Sequence, residues 1–380
     1  MLDRDFWTSD ANHVAVNPHR PADAMGLSEA AEAQGIAGMC FFQTSGSEGN
    51  PKWVALSKAA LLISAQAVNA HFEVSVADRW LIALPLYHVG GFAILGRAHV
   101  SGSVVIQHDT RWQPQVFSES CSRHGITLVS LVPTQVHDLV RENLSAPDKL
   151  RAVIVGGGGM SSELAKAARA LGWPVFQSYG MTEAASQIAT QPFPSLDASD
   201  DDGLMVLPHW RVRTDLTGRL VLRGSALAKC YVRLNSTGVW EWQELGDELV
   251  TRDMVELWVS GSRQRLRFVG RESGFVKISG ELIHLAPLQA RLDALSFAHR
   301  LSTPPVIAAM PDERRENRLV LVVESAAAAE LLGIFNMDTE PLCQLAEAIL
   351  ISEVPRTPLG KIDLSALQTY LSGTGYARIK

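Results

Sequence analysis

The sequence predicts an α/β protein: a large N-terminal domain of parallel sheets plus a small barrel-like region, followed by a small α+β C-terminal domain. Three patterns lead there. Apolar strands alternate with amphipathic helices between residues 38 and 177. From about Trp210 the segments become short strands separated by turn residues, and after Gly270–Gly274 helices and strands mix again. The domains are expected over residues 1–270 and 271–380.

Residues 1–38 read as a lead-in with one helix around Ser28–Gln34. Gly38–Gln43 is a strand that stops in the polar, glycine-rich loop Thr44–Lys52. Ser57 suits an N-cap and opens a helix to about Phe72. Trp80–Leu84 is a buried type of strand ended by Pro85. A helix near Gly91–His99, a strand Ser103–Gln107 and a helix Pro114–His124 follow, then a strand Thr127–Val132 and a helix Thr134–Glu142. Leu150–Val155 is a strand, Ser161–Leu171 a helix and Pro174–Gln177 a strand. This alternation implies βαβ units, whose ligands bind at the carboxyl ends of the strands. Arg211–Thr214, Gly218–Leu222, Met254–Val259 and Arg265–Val269 form the antiparallel or barrel-like region. Beyond it, Ala286–Asp293, Ala326–Ala329 and Pro341–Ile351 read as helices, and Pro305–Met310 and Leu319–Glu324 as strands.

The 380 residues are 47% apolar and 19% charged, the balance of a soluble globular protein. A net charge of -6 with no long Lys/Arg run disfavours a nucleic-acid or anionic-membrane surface. Cys40, Cys121, Cys230 and Cys343 are far apart with no CxxC pair, which argues against a zinc site or disulfide framework and suits a reducing cytoplasm. The acidic start lacks a signal-peptide core, and no run reaches the roughly 18 apolar residues of a membrane helix. The expected location is cytoplasmic; self-association is left open.

Five segments carry candidate chemistry. In Thr44-Ser45-Gly46-Ser47-Glu48-Gly49-Asn50-Pro51-Lys52, hydroxyls, two glycines and a lysine follow a strand, as a phosphate cradle requires. The Walker spacing is absent, and composition alone fits a surface loop equally well. In Gln177–Glu183, Tyr179 offers a stacking face, Thr182 a phosphate donor and Glu183 a hard oxygen for Mg²⁺. A helix N-cap at Thr182 explains the same residues. Gly156–Gly159 follows a strand but fails GxGxxG at Ser161, so close backbone approach to a ligand is the better reading. His88, beside Gly90 and Gly91, suits a pocket wall or a structural partner. Val354–Lys361 suits a mobile loop presenting Lys361, or a frayed terminus. The absence of GxSxG and HExxH leaves serine-hydrolase and zincin readings unsupported.

In this order the segments resemble the adenylate-forming superfamily of acyl-CoA synthetases, adenylation domains and luciferases, from about Phe41 to Leu364. The phosphate loop resembles TSG[ST]TGxPK, with Glu48 where threonine is usual, and Tyr179–Glu183 matches YG-x-TE. Asp253 falls at the TGD aspartate, with Arg252 in place of the glycine, and Arg271 at the second ribose contact. Lys277–Glu281 resembles the loop lining the pantetheine tunnel, and Lys361 falls at the adenylation lysine. Ser273 stands where a hinge Asp or Lys is usual, and most of the family's N-terminal subdomain is missing before residue 44.

The resemblance implies an acid–thiol ligase using ATP, Mg²⁺ and coenzyme A on a small carboxylic acid. It implies Lys361, Thr182, Glu183 and Lys52 as catalytic, with Glu183 on the metal. Thr44, Ser45, Gly46, Ser47, Gly49 and Lys52 would hold phosphates, and Gly157, Gly158, Gly159, Tyr179, Gly180, Met181 and Thr182 the nucleotide. Asp253 and Arg271 would hold the ribose, and Lys277 and Gly280 would line the CoA path. The acid pocket would use His88, Gly90, Gly157, Ser178 and Ser186. Leu84–Gly91, Ser130–Gln135, and Tyr179–Glu183 with Ser186-Gln187 are similar to the o-succinylbenzoate–CoA ligases of menaquinone biosynthesis. Ser47-Glu48 and Phe275–Glu281 are also similar to acyl-ACP synthetases, so a carrier protein or another aryl or acyl acid stays open, as does a non-catalytic nucleotide-binding relative.

Overall fold

The computed structural model describes residues 4–44, 52–108, 111–196, 202–357, 362–373 and 377–379. Contacts group into two compact units: Met1–Gly159, Ala168–Thr251 and Glu256–Arg267 in the first, and Met160–Ala167, Arg252–Val255 and Phe268–Lys380 in the second.

The chain opens with α1 (Arg4–Thr8), β1 (His13–Ala15), α2 (Leu27–Ala33), β2 (Met39–Thr44) and β3 (Lys52–Ser57). The βα alternation follows: α3 (Lys58–His71), β4 (Arg79–Ile82), α4 (Val89–Ser101), β5 (Val104–Gln107), α5 (Pro114–His124), β6 (Leu128–Leu131), α6 (Pro133–Arg141), β7 (Ala152–Val155), α7 (Ser162–Ala170) and β8 (Val175–Met181). Local chemistry sets these boundaries. The Ser57 hydroxyl accepts the Ala60 N–H at 3.0 Å to cap α3, and Pro114 opens α5, which ends at the left-handed Gly125.

Next come β9 (Ser186–Thr190), β10 (Leu204–Val206), β11 (Arg211–Thr214), β12 (Arg219–Arg223), β13 (Cys230–Leu234), β14 (Trp240–Glu244), β15 (Glu248–Ser260) and β16 (Arg263–Arg271). Two sheets result. A five-stranded sheet runs β1-β2-β3-β13-β14, and an eleven-stranded sheet runs β11-β12-β15-β16-β10-β9-β8-β7-β6-β4-β5. Strands β4 to β8 pair in parallel, as the alternation predicts. The region after Trp210 is antiparallel but divides: β11, β12, β15 and β16 extend the large sheet, while β13 and β14 join the small one. Leu27, Phe41, Trp53, Ala55 and Val232 pack on one face of the smaller sheet.

The remaining elements are β17 (Phe275–Ile278), β18 (Glu281–His284), α8 (Leu285–Ala298), β19 (Val306–Asp312), β20 (Glu316–Val323), α9 (Ala326–Ala329), α10 (Leu331–Met337), β21 (Leu345–Leu350), α11 (Leu364–Leu371) and β22 (Ala377–Ile379). Strands β19 to β22 form one sheet in chain order. Alternation along β20 sends Leu319, Leu321 and Val323 to one apolar cluster and Val320 and Val322 to another. The helix expected over Pro341–Ile351 is not there: Leu345–Leu350 is the strand β21, parallel to β20. Leu, Ala and Glu favour helices locally. Here sheet pairing and burial win, with Ala348 and Ile349 fully buried and buried Glu347 paired to Arg318 at 2.8 Å. None of the four cysteines is in a disulfide. Among the described residues, no helix is long and apolar enough to cross a membrane.

The amino ends of three parallel strands share one clamp. Asp78, Thr127 and Arg151 directly precede β4, β6 and β7. Asp78 accepts from Thr127 Oγ1 at 2.7 Å, from Arg151 Nε and Nη2 at 2.8 Å each, and from the Ser75 N–H at 2.9 Å. Burial pushes the Asp78 carboxyl up, but the bonds from Arg151, Ser75 and Thr127 together hold it below the usual carboxylate range. Its stabilisation is therefore complete above the unfolded pKa, about 3.9, and lost as pH falls through the lower folded value. Asp78→Asn should cost about 2 kcal/mol at neutral pH, because Arg151 is partly solvated. Denaturant melts should show that the difference from the parent shrinks below about pH 4.

Candidate active site

Because β4, β6, β7 and β8 run parallel, the segments that follow them emerge at one edge of the sheet. His88 and Gly90 lie at the start of α4, Pro133 opens α6, Gly157–Gly159 form an exposed turn after β7, and Thr182 and Glu183 follow β8. Gly156 and Gly158 back onto Ser178 and Pro133. Ser178 Oγ is committed to the Val155 carbonyl at 3.1 Å, and the His88 ring tilts against Tyr87.

Tyr179, Gly180 and Met181 are the last residues of β8, which runs past the strand expected over Pro174–Gln177. The strand continues because β9 returns antiparallel beside it, with a register shift between Tyr179 and Gly180. A Cβ on Gly180 would stand 1.6 Å from the Ser186 carbonyl oxygen, so only glycine lets the two backbones approach. Thr182–Ala184 is a single 3-10 turn whose N-cap position is Met181, with no side-chain capping bond, so the N-cap reading of Thr182 fails. Ala185 and Ser186 then take positive φ, 48° and 96°, to start the return.

The other half of this corner comes from the smaller sheet. Lys52, expected to close a loop, is instead the first residue of β3, paired with Thr44 across the β2–β3 hairpin. Thr44 Oγ1 donates to the Lys52 carbonyl at 3.4 Å. Ser45, Gly46, Ser47 and Gly49 lie outside the described residues, as does Glu48. Lys52 Nζ meets Glu183 Oε1 at 3.1 Å, and both side chains are mostly buried, with 16% and 14% exposed. Tyr231, on β13, donates its hydroxyl to the same Oε1 at 3.0 Å. Its ring centroid lies 3.5 Å below Lys52 Nζ, a cation–π contact. Burial and the Glu183 charge push the Tyr231 phenol above its ordinary value, so it stays a donor.

A second buried charge has no counterpart among the expected site residues. Arg97, in α4, is 1% exposed. Its Nη1 donates to Ser130 Oγ at 3.2 Å, its Nη2 to Ser186 Oγ at 3.4 Å, and its guanidinium lies 5.5 Å from the Trp80 ring centroid. Nε has no acceptor, and no carboxylate pairs with Arg97 among the described residues. Burial lowers its pKa to about 10, which leaves it charged at neutral pH. Its sequence signal is an arginine inside the apolar run Phe92–Ala98. Tyr231 has none: in Cys230-Tyr231-Val232 it reads as an ordinary strand aromatic.

In the second unit, Asp253 and Arg271 are brought together at 3.0 Å. Alternation along β15 turns Asp253 inward and Arg252 to solvent. Lys277 pairs with Glu316 at 3.0 Å on the exposed side of the β17–β18 hairpin. Ser279 and Gly280, with φ of 52° and 86°, make its two-residue turn, and the Gly280 N–H donates to Glu316 at 2.8 Å. Lys361 lies outside the described residues. The flanking chain is tied down by an antiparallel bridge between Arg356 and Ile362, and Val354 is buried.

A sequence model of AMP-binding enzymes matches residues 3–232. The chain belongs to the AMP-binding enzyme family. Within that family it is similar to the 2-succinylbenzoate–CoA ligase of Bacillus subtilis, 38% identical over 264 residues that span 66% of this chain and 52% of the relative. The ligase of the same name from Bacillus velezensis is 29% identical over 335 residues, 84% of this chain and 66% of that one. The chain thus spans about half to two thirds of the length of these relatives. Among solved structures, the B. subtilis o-succinylbenzoate coenzyme A synthetase in complex with ATP and magnesium ion is similar with a TM-score of 0.71 and 25% identity, over 87% of this chain and 69% of that one. The same enzyme with its acyl-adenylate intermediate, 24% identical with a TM-score of 0.73 over 90% of this chain and 70% of that one, shares the fold.

Gly180→Ala should destabilise the first unit by at least about 3 kcal/mol, since neither backbone of the β8–β9 pair can yield to a Cβ. Thermal melting with intrinsic fluorescence checks this.

Proposed function

We propose that this chain activates a carboxylic acid with ATP and transfers the acyl group to the thiol of coenzyme A, and that the acid is o-succinylbenzoate. The relatives' names support the reaction type. Arg97 carries the choice of acid. o-Succinylbenzoate has two carboxylates: one reacts, and the other needs a counter-charge. A buried guanidinium whose partners among the described residues are two hydroxyls and an aromatic ring is a costly arrangement that an anionic ligand group relieves.

In the first step a carboxylate oxygen attacks the α-phosphorus, the bond to the bridging oxygen breaks, and pyrophosphate leaves. In the second the thiolate attacks the acyl carbon and AMP leaves. Charge accumulates on phosphoryl oxygens, so placed cations and donors carry the catalysis. Lys52, with Thr44, Ser45, Gly46, Ser47 and Gly49, takes the β- and γ-phosphates, and Thr182 donates to the α-phosphate. Glu183 suits Mg²⁺: it offers a hard oxygen ligand beside the phosphate loop's lysine. A single protein carboxylate suits such an ion, because Mg²⁺ keeps several waters and takes its remaining ligands from substrate phosphates. When bound, that ion neutralises charge on the leaving pyrophosphate.

Tyr179, Met181 and Gly157–Gly159 flank adenine, and Asp253 and Arg271 take the ribose hydroxyls. His88, Gly90, Ser178 and Ser186 border the acid. Lys361 bridges carboxylate and phosphate oxygens as a compact charge. Residues 1–270 form the adenylation domain and 271–380 the small domain that carries Lys361, with Lys277 and Gly280 on the pantetheine path.

AMP release should be robust with o-succinylbenzoate plus CoA and weak with fatty acids or simple benzoates; no turnover of o-succinylbenzoate rejects the assigned acid, and no AMP from any acid rejects the reaction. Arg97→Met should raise the half-saturating o-succinylbenzoate concentration about tenfold or more while that for ATP stays nearly constant. Lys361→Ala should abolish pyrophosphate exchange yet keep thioester formation from added acyl-adenylate. Equal loss of both steps removes Lys361 from the adenylation step.

A further inference from the structure

Glu183 Oε1 carries two bonds, one from Lys52 Nζ at 3.1 Å and one from the Tyr231 hydroxyl at 3.0 Å. The three groups close a triangle, because Lys52 Nζ also sits over the Tyr231 ring. Sheet register makes this possible. Tyr231 stands opposite Val54 in the β13–β3 pair, and Val54 shares a face with Lys52 two residues earlier, so the tyrosine and lysine are diagonal neighbours on one face. Strand β13 is held on both sides, between β3 and β14. Its approach is pinned to the Glu183 turn itself, since the Ala228 N–H donates to the Glu183 carbonyl at 2.8 Å and the Lys229 N–H to the Ala55 carbonyl at 2.9 Å.

The two partners of Oε1 differ in kind. Lys52 is a charge on a flexible stem and is drawn to any phosphate that enters. Tyr231 is neutral, stiff and anchored in the middle of a sheet. Were Lys52 to turn to a phosphate, the Tyr231 hydroxyl would be left as the bond holding Oε1.

We propose that Tyr231 is the positioning residue for Glu183, its hydroxyl holding Oε1 so that the carboxylate would stay oriented toward a divalent cation once Lys52 turns to the phosphates. The proposal rests on the assignment of Glu183 to Mg²⁺ above. The ring acts separately, holding the Lys52 ammonium beside Glu183 when no nucleotide is present. Tyr231→Phe keeps the ring and deletes only the hydroxyl, whereas Tyr231→Leu deletes both.

The experiment is Mn²⁺ binding to the full chain with a non-hydrolysable ATP analogue, followed by water-proton relaxation, alongside Mg²⁺ dependence of pyrophosphate exchange. In Tyr231→Phe the Mn²⁺ affinity should fall about tenfold, the scale of one hydrogen bond to a charged group. Analogue affinity without metal should be unchanged, and saturating Mg²⁺ should restore most of the exchange rate. Tyr231→Leu should show the same metal defect plus weaker metal-free analogue binding. Parental Mn²⁺ affinity in both variants overturns the proposal, as does a rate loss that Mg²⁺ does not restore. Failure of the parent chain to bind Mn²⁺ with the analogue overturns instead the metal assignment of Glu183.

Discussion

One carboxylate oxygen joins the two sheets of the first unit at the edge where the parallel strands end. Glu183 belongs to the turn after β8 of the large sheet; Lys52 and Tyr231 come from adjacent strands of the small one. Bringing three polar side chains to one mostly buried point requires every backbone around them to be set. The Gly180 bulge lets β9 press against β8, and the positive φ of Ala185 and Ser186 completes the reversal. On the other side, the β2–β3 hairpin fixes where the loop after Thr44 must begin and end.

The same parallel strands carry buried charge at both ends, and the partners differ. At the amino ends, Asp78 meets Arg151 and Thr127, every strong acceptor site is filled, and the arrangement locks three strands together. Toward the other end, among the described residues, Arg97 donates to the hydroxyls of Ser130 and Ser186 and lies over the Trp80 ring, and its Nε has no acceptor. Where every partner of a buried charge is in place, removing one of them is what destabilises the fold. Buried charge without such partners is retained at a cost in stability and makes sense as a binding feature.

Much of the fold was legible because its signals are local. The Ser57 cap, the Pro114 start, the Gly125 stop and the apolar strands from Trp80 to Val155 each depend on neighbours in sequence. Leu345–Leu350 was not legible: its residues favour a helix, and only pairing with β20 makes it a strand. The start of β3 was hidden for a related reason. Lys52 reads as the close of a polar loop until its pairing with Thr44 is known.

The sequence by itself determined the alternation of strands and helices, hence the parallel sheet and the edge at which the segments after its strands emerge. It also determined the residue types that meet at one corner of that edge: Thr182, Glu183 and Lys52. Tertiary structure decided which of them touch. The pairing of Lys52 with Glu183 spans 131 positions, and that of Tyr231 with Glu183 spans 48. Such contacts arise from strand order and register, which no local pattern encodes. The same holds for Arg97, whose meaning lies in the absence of a carboxylate around it among the described residues, a property of three-dimensional surroundings rather than of the chain.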